Sequence, residues 1–341
     1  MMTDLPGSPL GAVIGGRLQR DFILPFEGKH RLNVVGGNLP YAAAAYAFWG
    51  GRAGLYARVP NEFPLEHLDI LSQKGCDLTG IVRVREAIDD RRFIAYTDPL
   101  SPHYDNPITY FAERGIPFPR ELIGYGSAPS RFCSKLEYEN FTARVNDLPR
   151  PYLDVPAAHL CPIDYLSHKI LPSLLRAGMI ETLTMRASAC YMDPSFWEEI
   201  RGLISDLTAF MLTEAEALRL FRGRSVDLWE IAEALAHYGP EFVLVHLPDG
   251  SVRLFDRMGH KRWVIPAYPA RTADPTGMLD AFDGAFLLNY RKKFDAVEAA
   301  LCGNVTAAVC MEGFGPYYVL DTLPGLMSAR LDVLRARVSS A

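Results

Sequence analysis

The chain has no excess of basic charge: 35 Lys and Arg stand against 40 Asp and Glu over 341 residues, a formal net charge of −5. A nucleic-acid binder normally carries a basic surplus, so that class is set aside. No apolar run reaches the ~18–20 residues needed to span a bilayer. The first residues, Met1 to Gly7, lack the basic and apolar regions of a signal peptide, and a soluble cytoplasmic protein is expected. Six cysteines, at 76, 133, 161, 190, 302 and 310, form no C-x-x-C pair and no Cys/His cluster at metal-ligand spacing. Cys161, Cys302 and Cys310 lie among small apolar residues and are expected to be buried free thiols. The histidines are dispersed, and none sits beside a Ser or Cys in a nucleophile motif. There is no Walker A loop and no G-x-S-x-G elbow, and Gly15-Gly16 lacks the spacing of a dinucleotide-binding G-x-G-x-x-G.

A hydrophobic content of 49% allows a large core, in one big α/β domain or two smaller ones. Short apolar runs alternate with helical patterns, which predicts a mostly parallel sheet covered on both faces. Strands are expected at 12–14, 53–59, 158–161, 189–192, 209–212 and 242–247. Helices are expected at 41–49, 65–74, 165–177, 194–205, 214–221 and 228–237. Two segments, Lys29 to Val35 and Ile81 to Tyr96, alternate charged and apolar residues with period two, as half-exposed antiparallel strands do. Residues 98–155 mix Pro, aromatic and charged residues without a period and read as an irregular, insertion-like stretch. After Gly325 a polar-faced terminal helix is expected to end in a frayed tail.

The most informative segment runs from Ala273 to Phe286: Asp274-Pro275-Thr276-Gly277, then an apolar helix with Asp280 in its first turn. Free backbone N–H groups and a carboxylate meet there, where an anion and a hydroxyl could be brought together. Taken alone, Asp280 also suits a first-turn carboxylate favouring the helix dipole by roughly 0.3–1 kcal/mol. Thr213 with Glu216 three residues on makes a capping box. Asp21 follows Val13-Ile14-Gly15-Gly16, and a carboxylate there can accept two hydroxyl hydrogen bonds at once.

The segment 274–286 resembles the D-T-x-G-A-G-D-x-F signature of the ribokinase-like (PfkB) sugar and nucleoside kinases, with Met278 and Leu279 in place of the Ala-Gly pair. Other segments resemble the family in the same order. They are Val13 to Asp21, Gly36-Gly37-Asn38-Leu39-Pro40-Tyr41, Arg58 to Pro64, Gly75 to Gly80, Leu212 to Ala217, and Val245 to Ser251. The resemblance implies a single α/β domain over 10–325: a central, mostly parallel sheet with helices on both faces and a small β-sheet lid from about 17–35 and 80–97. It implies ATP-dependent phosphorylation of a hydroxyl on a small sugar or nucleoside, with Mg²⁺, and a homodimer through the lid.

By the same resemblance, Asp280 would be the base, and the N–H groups of Gly277, Met278 and Leu279 an anion hole. Asp21, Gly36, Gly37, Asn38 and Tyr41 would bind the acceptor. Thr213, Glu216, His246, Gly250, Asp274 and Asn304 would line the nucleotide side, with Glu216 organising Mg²⁺ through water. Thr213, Pro248, Met278 and Leu279 depart from the family pattern on the donor side. A kinase-derived protein that binds a sugar or nucleoside without phosphorylating it, or regulates through it, is the alternative.

Overall fold

The computed structural model describes residues 9–126 and 133–341. The main sheet has ten strands: β1 (Ala12–Gly15), β4 (Ala53–Pro60), β5 (Asp77–Val84), β8 (Ala157–Leu160), β9 (Thr182–Arg186), β10 (Ala209–Thr213), β11 (Phe242–His246), β12 (Val252–Asp256), β13 (Lys261–Ile265) and β14 (Ser339–Ser340). Their order is β14-β13-β12-β11-β10-β9-β8-β1-β4-β5. The strands from β11 to β5 in that order pair in parallel, and β12 to β14 extend one edge antiparallel. Central strands such as Ala-Ala-His-Leu and Thr-Leu-Thr-Met-Arg are buried along their whole length, as a sheet covered on both faces requires.

One face carries α1 (Leu39–Phe48), α2 (Leu65–Gln73), α8 (Met278–Lys293), α9 (Ala296–Met311) and α10 (Pro324–Arg335). The other carries α4 (Tyr165–Arg176), α5 (Trp197–Leu203), α6 (Glu214–Leu220) and α7 (Leu228–His237). Helices α1 and α8 approach so closely that a Cβ on Gly284 would lie 1.9 Å from the Ala42 carbonyl oxygen. Glycine there permits the contact, which seats the start of α8 over the strand ends.

A separate sheet, ordered β3-β2-β6-β7, is built from β2 (Gln19–Leu24), β3 (Arg31–Gly36), β6 (Arg91–Tyr96) and β7 (Pro102–His103). It contains the segments expected as a lid, with two corrections. Its central pair, β2 and β6, is parallel rather than antiparallel. The period-two residues Val82 to Val84 belong to β5, paired with β4 at the edge of the main sheet. The lid's apolar face, with Phe22, Leu24 and Phe93, packs on Phe111 of α3 (Pro107–Glu113) and on Leu122. Part of the irregular 98–155 stretch thus covers the lid from within the same chain.

The expected strand at 189–192 does not form. Those residues make a turn, and the strand lies earlier, at β9. Cys190 in that turn is disulfide-bonded to Cys133, their Cα atoms 5.1 Å apart, a pairing that scattered spacing did not reveal. Cys161, Cys302 and Cys310 are free and buried, as expected. The tail after α10 is not simply frayed, because Ser339–Ser340 pairs with β13. Among the described residues, no helix is long and apolar enough to cross a membrane.

Candidate active site

In a parallel α/β sheet, ligands gather beyond the carboxyl ends of the strands. Here those ends carry Arg186 on β9, Thr213 on β10 and His246 on β11. Helix α8 brings Asp280 and Asp283 to the same place from above.

Gly277 caps α8 with φ +76°, and a Cβ on it would lie 2.2 Å from the Tyr41 ring. Neither the backbone nor the space suits another residue. No positive φ falls on Leu279, so the change from the family's glycine imposes no such strain there. Met278 and Leu279 are partly exposed and lie outside the apolar clusters of the core. The three expected anion-hole donors are not equivalent, however. The Met278 N–H donates to the Pro275 carbonyl at 3.2 Å and is thus already engaged in the turn. The N–H groups of Gly277 and Leu279 have no such turn acceptor among the described residues, and a helix's first N–H groups lack partners of their own.

Asp280 is partly buried. Burial first, and the neighbouring Asp283 second, push its carboxyl up to about 8. Asp283, one turn later, behaves in the opposite way. Its burial is outweighed by the Arg186 guanidinium and by His159, which hold it below the usual carboxylate range. Arg186 donates from Nε and Nη2 to the two Asp283 oxygens, each at 2.5 Å. Nη2 also lies 3.1 Å from His246 Nε2, and His159 Nε2 lies 3.5 Å from Asp283 Oδ2. Two acids one turn apart are thereby driven to opposite states, the arrangement in which one serves as a proton carrier and the other as a fixed charge.

Among the residues expected on the nucleotide side, the capping box is present. The Thr213 hydroxyl accepts from the Glu216 N–H at 3.3 Å, and Glu216 Oε2 accepts from the Thr213 N–H at 2.8 Å. Burial raises the Glu216 carboxyl. His246 is buried edge-on against Phe282, at 4.5 Å between ring centroids. Burial and Arg186 keep it neutral, so it faces the Arg186 cluster rather than an open anion site. Gly250 lies in the exposed turn between β11 and β12 with φ +81°. Asn304, on α9, donates its amide to the Pro266 carbonyl at 2.8 Å and pins the loop leading to α8. Asp274 shapes the turn, accepting from the Thr276 N–H at 3.0 Å, while its Oδ2 is buried without a partner. Burial raises its carboxyl.

The acceptor-side residues also converge, in unexpected pairings. Asp21 is fully buried and accepts from Arg92 Nε at 2.9 Å and Nη2 at 2.5 Å. Both of its oxygens therefore serve a guanidinium first. Gly36 makes room for that carboxylate, since a Cβ there would lie 1.9 Å from Asp21 Cγ. Gly37 turns the chain with φ +90°. The Asn38 amide is spent on the backbone, accepting from the Arg17 N–H at 2.7 Å and donating to the Pro162 carbonyl at 2.8 Å. Tyr41 is buried with its hydroxyl unpartnered. Burial, Asp274 and Asp21 all raise its pKa well above the ordinary value.

Arg92, Arg186 and Asp283 were not among the residues singled out by pattern. Arg92 stands in a period-two strand and Asp283 follows Phe282 in an apolar helix, so each reads locally as a solvated or incidental charge. No group of three or more His, Cys, Asp and Glu able to hold a metal exists among the described residues. An apolar cavity of about 270 Å³, walled by Ile23, Val35, Ile70 and Phe314 among others, contains none of the expected site residues.

Residues 165–323 match the model of the pfkB family carbohydrate kinases. A cytidine kinase of Thermococcus kodakarensis is 22% identical over 317 residues, covering 91% of this chain and 99% of that enzyme. Among solved structures, a putative ribokinase II from E. coli in complex with ATP and Mg²⁺ superposes with a TM-score of 0.70 at 16% identity, covering 96% of this chain and all of that one. A Burkholderia thailandensis nucleoside kinase in complex with inosine gives a TM-score of 0.65 at 17% identity, covering 95% and 99%.

Proposed function

We propose that this chain is a divergent ribokinase-like PfkB kinase that transfers the terminal phosphoryl group of ATP to a hydroxyl of a small sugar-like substrate, a reading supported by the family match over residues 165–323 and by the cytidine kinase relative. The observation that carries this reading is Asp280, set in the first turn of α8 behind a left-handed Gly277 and pushed up to about 8. A carboxylate of that basicity is well matched to taking a hydroxyl proton near neutral pH. As the acceptor oxygen forms its bond to the phosphorus, the bond to the leaving ADP breaks, and the hydroxyl proton passes to an Asp280 oxygen. The N–H groups of Gly277 and Leu279 hold the charge spread over the transferring group.

Asp21, with Arg92 bound to it, orients acceptor hydroxyls together with the buried Tyr41 hydroxyl. Glu216 Oε2 is committed to Thr213, which leaves its other oxygen to hold Mg²⁺ through water. That fits a metal which keeps most of its waters and does not need an all-protein cage. When bound, the metal supplies charge neutralisation for the phosphates. Thr213, Gly250, Asp274 and Asn304 shape the nucleotide side. The apolar face of the lid is already covered by α3 and Leu122, which favours a lid needing no second subunit on that face.

A second reading is a protein that holds a sugar or nucleoside without transferring phosphate, and the engaged Met278 N–H favours it. ADP release across a panel of sugars and nucleosides, with Mg²⁺ and ATP, separates the two. Turnover with at least one acceptor is expected. Acceptor binding with neither ATP binding nor ADP release would establish the second reading.

A further inference from the structure

Arg186 has no part in the reaction just described, yet it sits at its centre. It ends β9, opposite Met211 of β10, while Thr213 and His246 end the next two strands as a pair. Asp283 takes its Nε and Nη2, and His246 lies against Nη2. This grip fixes the plane of the guanidinium and turns Nη1 to the edge away from Asp283. Nη1 is buried and has no acceptor among the described residues. Arginine does not shed its charge, so a buried N–H edge without a partner is costly unless an anion takes it.

Two further carboxylates act on this guanidinium: Asp280, which shares a face of α8 with Asp283, and Glu216 at the start of α6. In the reading above, these are the base and the metal-organising acid. The anion hole is also short of a donor, because the Met278 N–H is engaged by Pro275.

We propose that Arg186 is a catalytic residue whose free Nη1 edge binds the donor's terminal phosphate and completes the set of donors around the phosphoryl group in transit. This inference rests on the kinase reading. A planar guanidinium held through Nε and Nη2, with Nη1 left open, suits a phosphate oxygen. Arg186 forms hydrogen bonds only; bond making, bond breaking and proton transfer remain as described.

The test uses the full chain with Mg²⁺. Affinities for ATP and ADP are measured by calorimetry, alongside ATP consumption with the best acceptor of the panel or with water. The variants are Arg186→Lys and the double variant Arg186→Met/Asp283→Leu, which replaces the buried pair by apolar atoms and so need not unfold. Both are expected to lose the parent's preference for ATP over ADP, with ADP affinity held within about threefold. Phosphoryl transfer should drop about 100-fold or more, the size of losing one oxyanion-hole donor. A folded variant that keeps the parent's ATP/ADP ratio and rate would reduce Arg186 to a counter-ion and overturn the inference alone. A parent protein that binds no ATP would overturn the kinase reading and this inference together.

Discussion

The residues expected on the acceptor side and those expected on the donor side handle buried charge in different ways. Around the lid, the carboxylates and the Asn38 amide are paired, Asp21 with Arg92, Glu139 with Arg17 and Asn38 with two backbone groups, and the Tyr41 hydroxyl and Arg17 Nε are left over. At the ends of β9 to β11 the pairing stops one partner short. Arg186 Nη1 is buried without a partner among the described residues, and burial together with the neighbouring Asp283 pushes the Asp280 carboxyl up. Carboxylates that are already paired give a rigid, selective wall, while an unpaired buried charge gains a partner only when ligand arrives. The contrast assigns shape to the acceptor side and charge chemistry to the donor side.

The strongest way to break this contrast is Asp280→Asn. It should lower kcat by about 10²–10⁴-fold, the range for losing a general base, with ATP affinity retained in calorimetry. In the parent, kcat/KM for the acceptor should rise with pH and level off above about 8 as Asp280 loses its proton. The same group has a stability signature of defined sign. Its folded pKa lies above the unfolded one, so its stabilising contribution is full below the ordinary carboxylate range and is lost as pH rises through about 8. Asp280→Asn should flatten that fall in a series of melting temperatures. A parent profile flat from pH 6 to 9 would contradict the assignment of the base.

On the acceptor side the expected loss is in stability first. Asp21→Ala strands Arg92, whose side chain is 23% exposed. Breaking a buried pair this way costs about 3 kcal/mol, read as a lower urea midpoint. Asp21→Leu combined with Arg92→Met should recover most of it. If the single variant is no less stable than the parent, the pair is not the closed wall argued above. The smallest effect belongs to the capping box. Thr213→Ala should cost about 1 kcal/mol and move ATP affinity less than the Arg186 variants do. A larger loss of affinity than of stability would shift Thr213 from cap to nucleotide contact.

Pattern predicted the parallel strands β1, β4, β8, β10 and β11 and most of the helices, because buried parallel strands and the helices covering them carry strong local signals; it gave no expectation for β12, β13 or α9. It failed at β9 for a physical reason. Thr182 to Arg186 contains two threonines and ends in a charge, while Ala189 to Met192 is apolar and uncharged. Burial of the true strand depends on Asp283 neutralising Arg186 from another element. The missed strand therefore concealed the missed residue. Arg92 was hidden in the same way, as an alternating charge in a strand that looked half-exposed.

What the sequence by itself determined is whatever lies within a turn or two of chain. Gly277 leads into a helix carrying Asp280, Thr213 and Glu216 cap one another, and Gly36-Gly37 opens α1. Local hydrogen bonds and glycine's access to positive φ make such features readable over a few residues. Only the tertiary structure decided who neutralises whom. Arg186 finds Asp283 across 97 residues, Asp21 finds Arg92 across 71, and Cys133 finds Cys190 across 57. Such partners share no local period. They meet because burying an unpaired charge is costly, and that cost exists only once the chain has folded around it.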